Sequence, residues 1–164
     1  MVAYAIKLFL QFKSIEPVAI FDFEDATNEF AIHSTGYYSI SVLGAGSIYE
    51  TGKIAMRLVV NEDEILDVRA SPIATRFRRD GEIGVECWGF STDSVGPCVL
   101  TIANSESVEA KDSMLISKGM FQSPINHRKL KLLIYENIRP LFKVLAVVSL
   151  VVGVNLIVIG IAES

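Results

Sequence analysis

Arg76, Arg78 and Arg79 form a small basic patch on a short extended run. Side chains alternate along a strand, so Arg76 and Arg78 share one face and Phe77 takes the other, and two guanidinium forks side by side can grip a phosphate or carboxylate surface. The same charges also keep an edge strand from pairing with another chain. Nucleophilic catalysis would need a Ser or Cys, a base and an orienting acid. The chain has no Gly-x-Ser-x-Gly, and Cys87, beside Trp88 on a half-buried strand, has only His33 as a base that could approach it. No catalytic residue is assigned. His33 and His127 lie at opposite ends of the domain without a second ligand at helical or hairpin spacing, so no metal site is expected. Glu62, Asp63, Glu64 and Asp67 lack the alternating Asp/Asn and Gly pattern of a calcium loop and read as a solvated turn. Gly44-Ala45-Gly46 lacks the third glycine and the lysine of a phosphate loop and reads as a turn, so no cofactor is expected.

Cys87 and Cys98 flank a turn-like stretch, residues 91–97. Strands pairing about that turn would face the two thiols across a hairpin, which makes a disulfide sterically plausible. In a cytoplasmic domain both would stay as free thiols, and two small buried hydrophobes is the plainer reading.

The elements that would position these groups are short and rich in aromatic and β-branched residues. Strands are expected at residues 18–23, 29–33, 37–43, 54–60, 64–68, 74–79, 82–90, 98–102 and 129–135, separated by Gly, Pro, Asp, Asn and Ser. Ile40 and Val42 alternate with Ser39 and Ser41, the mark of a half-buried strand. Asp80-Gly81 is a strong hairpin signal. Residues 104–111 read as a polar stretch. Seven to nine strands at roughly ten-residue spacing predict a mainly β chain, an antiparallel β-sandwich of immunoglobulin-like or jelly-roll type. Residues 2–12 fit either a first strand or a short amphipathic helix on a membrane surface. The domain reading is therefore 1–16, 17–136 and a final segment at 140–162.

That final segment contains residues 144–162, nineteen in a row without an ionisable side chain. At about 1.5 Å per residue the run reaches roughly 28 Å as a helix, which matches a hydrocarbon core of about 30 Å, so one C-terminal transmembrane helix is expected. Arg128, Lys129, Lys131, Arg139 and Lys143 precede it against Glu136 alone, a local excess of +4 in a chain of net charge −4, leaving −8 elsewhere. Basic residues beside a span stay in the cytoplasm, so the expected location is the inner (cytoplasmic) membrane, tail-anchored and single-pass, with the folded domain inside. The same basic set can also bind anionic head groups. Within the run Ala146, Ser149, Gly153 and Gly160 fall on one stripe, with Ser149 and Gly153 in the small-xxx-small spacing that lets helices approach closely, while Asn155 lies on another face near the bilayer centre. These point to helix packing with a protein partner or a second copy.

Residues 30–44, a later glycine-containing strand pair and Ile134-Tyr-Glu-Asn-Ile-Arg139 leading into the apolar run resemble uncharacterised small bacterial membrane proteins that carry a sandwich domain. The resemblance implies fold and anchoring and no activity. The functional expectation is a non-enzymatic membrane-anchored binding protein, either an accessory or regulatory subunit of a membrane complex or an immunity-type inhibitor, with Arg76, Arg78 and Arg79 as a soluble-side contact and no nucleic-acid partner. The alternative is a lipid- or small-ligand-binding sandwich at the membrane surface.

Overall fold

The computed structural model describes residues 16–24, 27–50, 54–72, 74–113 and 121–137, with six helical positions between 144 and 152. The chain divides into two compact units, Pro17–Asn137 and one that gathers Met1–Glu16 with Ile138–Ser164.

The first unit is mainly β. Its strands among the described residues are β1 (Ala19–Asp22), β2 (Thr27–Ile32), β3 (Gly36–Leu43), β4 (Ser47–Glu50), β5 (Ala55–Val60), β6 (Glu64–Leu66), β7 (Arg69–Ala70), β8 (Arg76–Arg79), β9 (Glu82–Thr92), β10 (Gly96–Ala103), β11 (Val108–Lys111) and β12 (Lys131–Asn137). All pairings are antiparallel. One sheet runs β1-β12-β3-β9-β7, with β8 also on β9; a second runs β2-β10-β5-β6; β4 and β11 form a two-stranded ribbon. The pairs β5 with β6, β3 with β9, β2 with β10 and β1 with β12 are nested, each enclosing the one before it in the chain.

Turn chemistry supports this order. Asp80 (φ 50°) and Gly81 (φ 87°) both hold left-handed backbone in the β8–β9 turn, as a tight two-residue hairpin requires. The inner faces of the two large sheets meet in one core. Tyr38, Ile40 and Val42 of β3, Leu132 and Ile134 of β12, and Trp88 and Phe90 of β9 are in one cluster with Leu58 and Val60 of β5 and Cys98, Leu100 and Ile102 of β10. Within it Tyr38 and Phe90 stack with ring centroids 5.4 Å apart.

Several expectations change. β4 forms between the loop signals at Gly44–Gly46 and Thr51-Gly52, where no strand is expected, and pairs with β11 inside the polar stretch, whose buried Val108 and Ala110 give a two-residue period too short to stand out. β3 is not half-buried: Ser39 and Ser41 are as inaccessible as Ile40 and Val42. Cys87 and Cys98 do not face each other across a hairpin, since β9 and β10 belong to different sheets and residues 93–95 carry the chain between them. Neither cysteine is in a disulfide, and burial pushes the Cys98 thiol up. No helix among the described residues is long and apolar enough to cross a membrane. The expected span lies outside the described residues except for Val144, Leu145, Val148, Ser149, Val151 and Val152, which are helical; the segment at 2–12 also lies outside.

Candidate functional site

On β3 the core-facing residues are Tyr38, Ile40 and Val42, so Tyr37, Ser39, Ser41 and Leu43 point to the sheet's outer face. Register extends that face: Tyr135 and Asn137 of β12 lie opposite Ser39 and Tyr37, and Leu133 lies opposite Ser41. On β9, Gly89 lies opposite Ser39 and Glu86 opposite Ser41, because the register slips between Ile40 and Ser41. That bulge matters. Glu86 and Gly89 are three residues apart and would take opposite faces of a regular strand; the extra residue brings both outward.

The result is a polar cluster that water barely reaches. Ser39 and Ser41 are 0% exposed and Glu86 1%. Ser39 Oγ donates to Glu86 Oε1 at 3.0 Å, Ser71 Oγ donates to the same oxygen at 3.4 Å, and Asn137 Nδ2 donates to Glu86 Oε2 at 3.3 Å. Asn137 Nδ2 also donates to Ser39 Oγ at 2.7 Å, and Ser41 Oγ donates to Tyr135 Oη at 3.2 Å. A buried carboxyl group is tolerated only when donors surround it, and β3, the end of β7 and β12 supply them here.

Three half-buried aromatics roof this cluster. Phe77 meets Tyr135 edge-on at 5.8 Å. The two glycines of β9 are their seats: a Cβ at Gly84 would strike the Phe77 ring, and one at Gly89 would strike the Tyr37 hydroxyl and come within 2.9 Å of the Tyr38 carbonyl oxygen. Desolvation, then the charge of Glu86, raises the Tyr37 hydroxyl above the usual tyrosine range and the Tyr135 hydroxyl well above it, although hydrogen bonds from Ser39 and, for Tyr135, Ser41 oppose this. Both phenols are therefore fixed neutral groups, able to donate or accept a hydrogen bond at the rim of an otherwise satisfied network.

An alkaline titration should show this directly. Both hydroxyls hold their protons more tightly in the folded chain than in the unfolded one, where release centres on 10.0. Stability is therefore complete below about pH 10 and falls above it, by up to about 1.4 kcal/mol per pH unit while Tyr135 stays protonated in the fold alone, with a smaller part from the more exposed Tyr37. Of the five tyrosines, absorbance near 295 nm should show a late fraction that shrinks in Tyr135→Phe. A titration in which Tyr135→Phe changes nothing would remove Glu86 and burial as controlling influences.

The residues singled out from sequence are dispersed. Arg76 Nε donates to the Gly46 carbonyl at 2.9 Å, and Arg79 lies 3.6 Å from Asp80, which leaves Arg78 as the guanidinium of the patch without a described partner. Arg76 and Arg78 are both exposed on β8, while Phe77 and Arg79 between and after them are half-buried. Arg128, 3.6 Å from Glu24, and Lys129 lie in a turn before β12, and Lys131 opens that strand, six residues or roughly 20 Å from Asn137. Arg139 and Lys143 lie outside the described residues. Ser149 is helical and half-buried, while Ala146, Gly153, Asn155 and Gly160 lie outside the described residues. His127 is bonded to the Val108 carbonyl at 2.7 Å and set edge-on to Phe23. Asp67 is held by Arg69 at 2.6 Å, and among the described residues no group of three or more His, Cys, Asp or Glu is arranged to hold a metal. A polar surface cleft of about 350 Å³ is bordered by Glu82, Asp112, Asn126 and Lys129.

Nothing matches this chain among protein-family models, curated proteins or solved structures. What the chain does is therefore read from its own chemistry.

Proposed function

We propose that this chain is a non-enzymatic binding protein anchored in the inner membrane by residues 144–162, its sandwich on the cytoplasmic side, serving as an accessory or regulatory subunit of a membrane complex or as an immunity-type inhibitor. The observation that carries this reading is the roof of Tyr37, Phe77 and Tyr135. Rigid aromatics seated on glycines over a satisfied polar base resemble the anchor residues of protein interfaces, where large side chains with little freedom to lose contribute most of the affinity. Arg76 and Arg78, on the other face of the same edge strand, would supply a charged contact at the strand's margin. Anchoring is supported by the uncharged run and by its helical positions, where Val144, Leu145, Val148, Val151 and Val152 are each between 40% and 54% exposed, an apolar surface that lipid would cover.

We further infer a jelly-roll sandwich. The nested pairs and the sheet orders β1-β12-β3-β9 and β2-β10-β5-β6 are those of a long antiparallel ribbon rolled into two sheets. Such a fold hosts many activities, so it supports a scaffold and not a specific task. A small-ligand-binding module is the second reading. The cleft between Glu82, Asp112 and Lys129 favours a small polar ligand there over a lipid chain.

The test is affinity purification of the tagged full chain from membranes in mild detergent, alongside Gly153→Ile and Phe77→Ala. The expected result is a stoichiometric protein partner whose recovery falls at least about tenfold in one variant or both, as loss of an interface anchor predicts. Recovery of the chain alone, or only with copies of itself, would overturn the heteromeric reading in favour of ligand binding.

A further inference from the structure

The outer faces of the two large sheets differ. That of the first is covered by its own aromatics over Glu86, whereas that of the second carries small and β-branched side chains. On β10, β5 and β2 the core takes Leu100, Leu58, Phe30 and their alternate neighbours, so the residues between them point outward. Register aligns these across all four strands: Glu29, Val99, Val59 and Ile65 form one row, and Thr101 and Arg57 lie side by side in the next. A sheet face turned to water ordinarily carries polar side chains at alternate positions. Here Val99 and Val59 adjoin, both half-buried, and Ile65 beside them is 62% exposed.

Two opposite charges frame this apolar row. Glu29 and Arg57 are the charged residues at the outward positions of β2, β10 and β5, both are exposed, and neither side chain has a hydrogen bond or ion pair with another described residue. They stand on opposite sides of β10, Glu29 beside Val99 and Arg57 beside Thr101. That placement is self-complementary. A twofold axis between two copies, running along β10, turns β2 of one copy over β5 of the other. Val99 then meets Val99, Thr101 meets Thr101, and each Glu29 comes over Val59 of the other copy, about 7 Å along the strand from Arg57, a gap that two long side chains span. Both ion pairs form together, as an isologous contact requires.

We infer that the outer face of the second sheet docks a second copy of this chain, with Val59, Val99 and Thr101 at the centre of a twofold contact and reciprocal Glu29 to Arg57 pairs at its margins. The face measures about 19 Å across four strands and about 27 Å along the eight residues of β10, at most roughly 500 Å² per copy. That is the small end of specific interfaces, so the dimer is weak, reversible and dependent on its charge pairs. It leaves the aromatic roof of each copy on the far side of the sandwich, free for a different partner, and does not depend on how the chain is anchored.

The test is cross-linking of the full chain in mild detergent with a short bismaleimide, using one added cysteine at Thr101 or, as a control, at Asp80 in the β8–β9 turn, with the parent chain as the blank for Cys87 and Cys98. Both sites are exposed, and sheets packed face to face lie about 10 Å apart, within reach of such a linker. The expected result is a covalent dimer from Thr101→Cys at about fivefold or more the yield from Asp80→Cys. Adding Glu29→Arg sets cation against cation and should cut that yield about fivefold or more, and adding Arg57→Glu as well should restore it. Trp88 emission like the parent's shows that each variant is folded; should Glu29→Arg alone not fold, Arg57→Glu alone must give the same fall. Equal yields from Thr101→Cys and Asp80→Cys, or none from Thr101→Cys, would overturn the inference. So would a yield that the charge reversal leaves unchanged, as contact through residues 144–162 would give, or one that the double reversal fails to restore.

Discussion

Glu86→Ala should lower the stability of the sandwich by about 3 kcal/mol, because it strips the acceptor from three donors, of which Ser39 has no access to water and Ser71 and Asn137 little. Ser39 and Asn137 both direct hydrogen bonds at that carboxyl group, and Ser39 is fully buried. Their desolvation would then be uncompensated, and a cavity would open between Ser41 and Gly89. Glu86→Gln should cost less, about 1–2 kcal/mol: one oxygen still accepts from Ser39, while the new amide faces the Asn137 amide donor to donor. Trp88, the chain's one tryptophan, lies two residues away in the core and reports unfolding without a label. Urea titrations of the full chain in mild detergent should show a lower midpoint at an unchanged slope. If Glu86→Ala stays within about 0.5 kcal/mol of the parent, the cluster does not hold the strands together. Its aromatic roof would then lack the rigid base on which the binding reading relies.

The fold was legible in the sequence wherever one residue type decides a local geometry. Asp80-Gly81 specified its hairpin because both positions need left-handed backbone, and the aromatic and β-branched runs placed most of the longer strands. The site was hidden for a physical reason. Period-two alternation from Trp88, which faces the core, puts Glu86 in the core as well, where a carboxyl group reads as an error or an edge. Only the bulge opposite Ile40 and Ser41 turns it outward, and a bulge is a property of two paired strands that neither sequence carries alone. Ser39 and Ser41 misled in the same way: polar residues at alternate positions signal a solvated face, but these serve a buried carboxyl group. The one local hint was the pair Gly84 and Gly89 within a single strand, since glycine there marks a close approach, in this case of two aromatic rings. The thiols show a related limit. The turn between Cys87 and Cys98 looks like a hairpin, whereas in a sandwich consecutive strands often cross to the other sheet, and nothing between residues 91 and 97 distinguishes the two outcomes.

Leu100→Ala should separate what the sandwich does from what the anchor does. Leu100 is fully buried on β10, between β2 and β5, with Leu58 directly opposite. Removing its isobutyl group leaves a cavity that the sheets flanking it have little freedom to close, at an expected cost of about 2–5 kcal/mol. Small domains have only about 5–15 kcal/mol in total, so much of the population should be unfolded under mild warming, with Trp88 emission shifted to the red. Membrane retention should not follow. If residues 144–162 hold the chain in lipid, the apolar area they bury does not depend on β10, and the unfolded variant should resist alkaline extraction like the parent. Partner recovery should fall with the folded fraction, because the aromatic roof exists only when β3, β8, β9 and β12 are assembled. Release of Leu100→Ala into the soluble fraction would mean that the folded sandwich, and not the uncharged run, provides the attachment, and the anchored reading would be withdrawn.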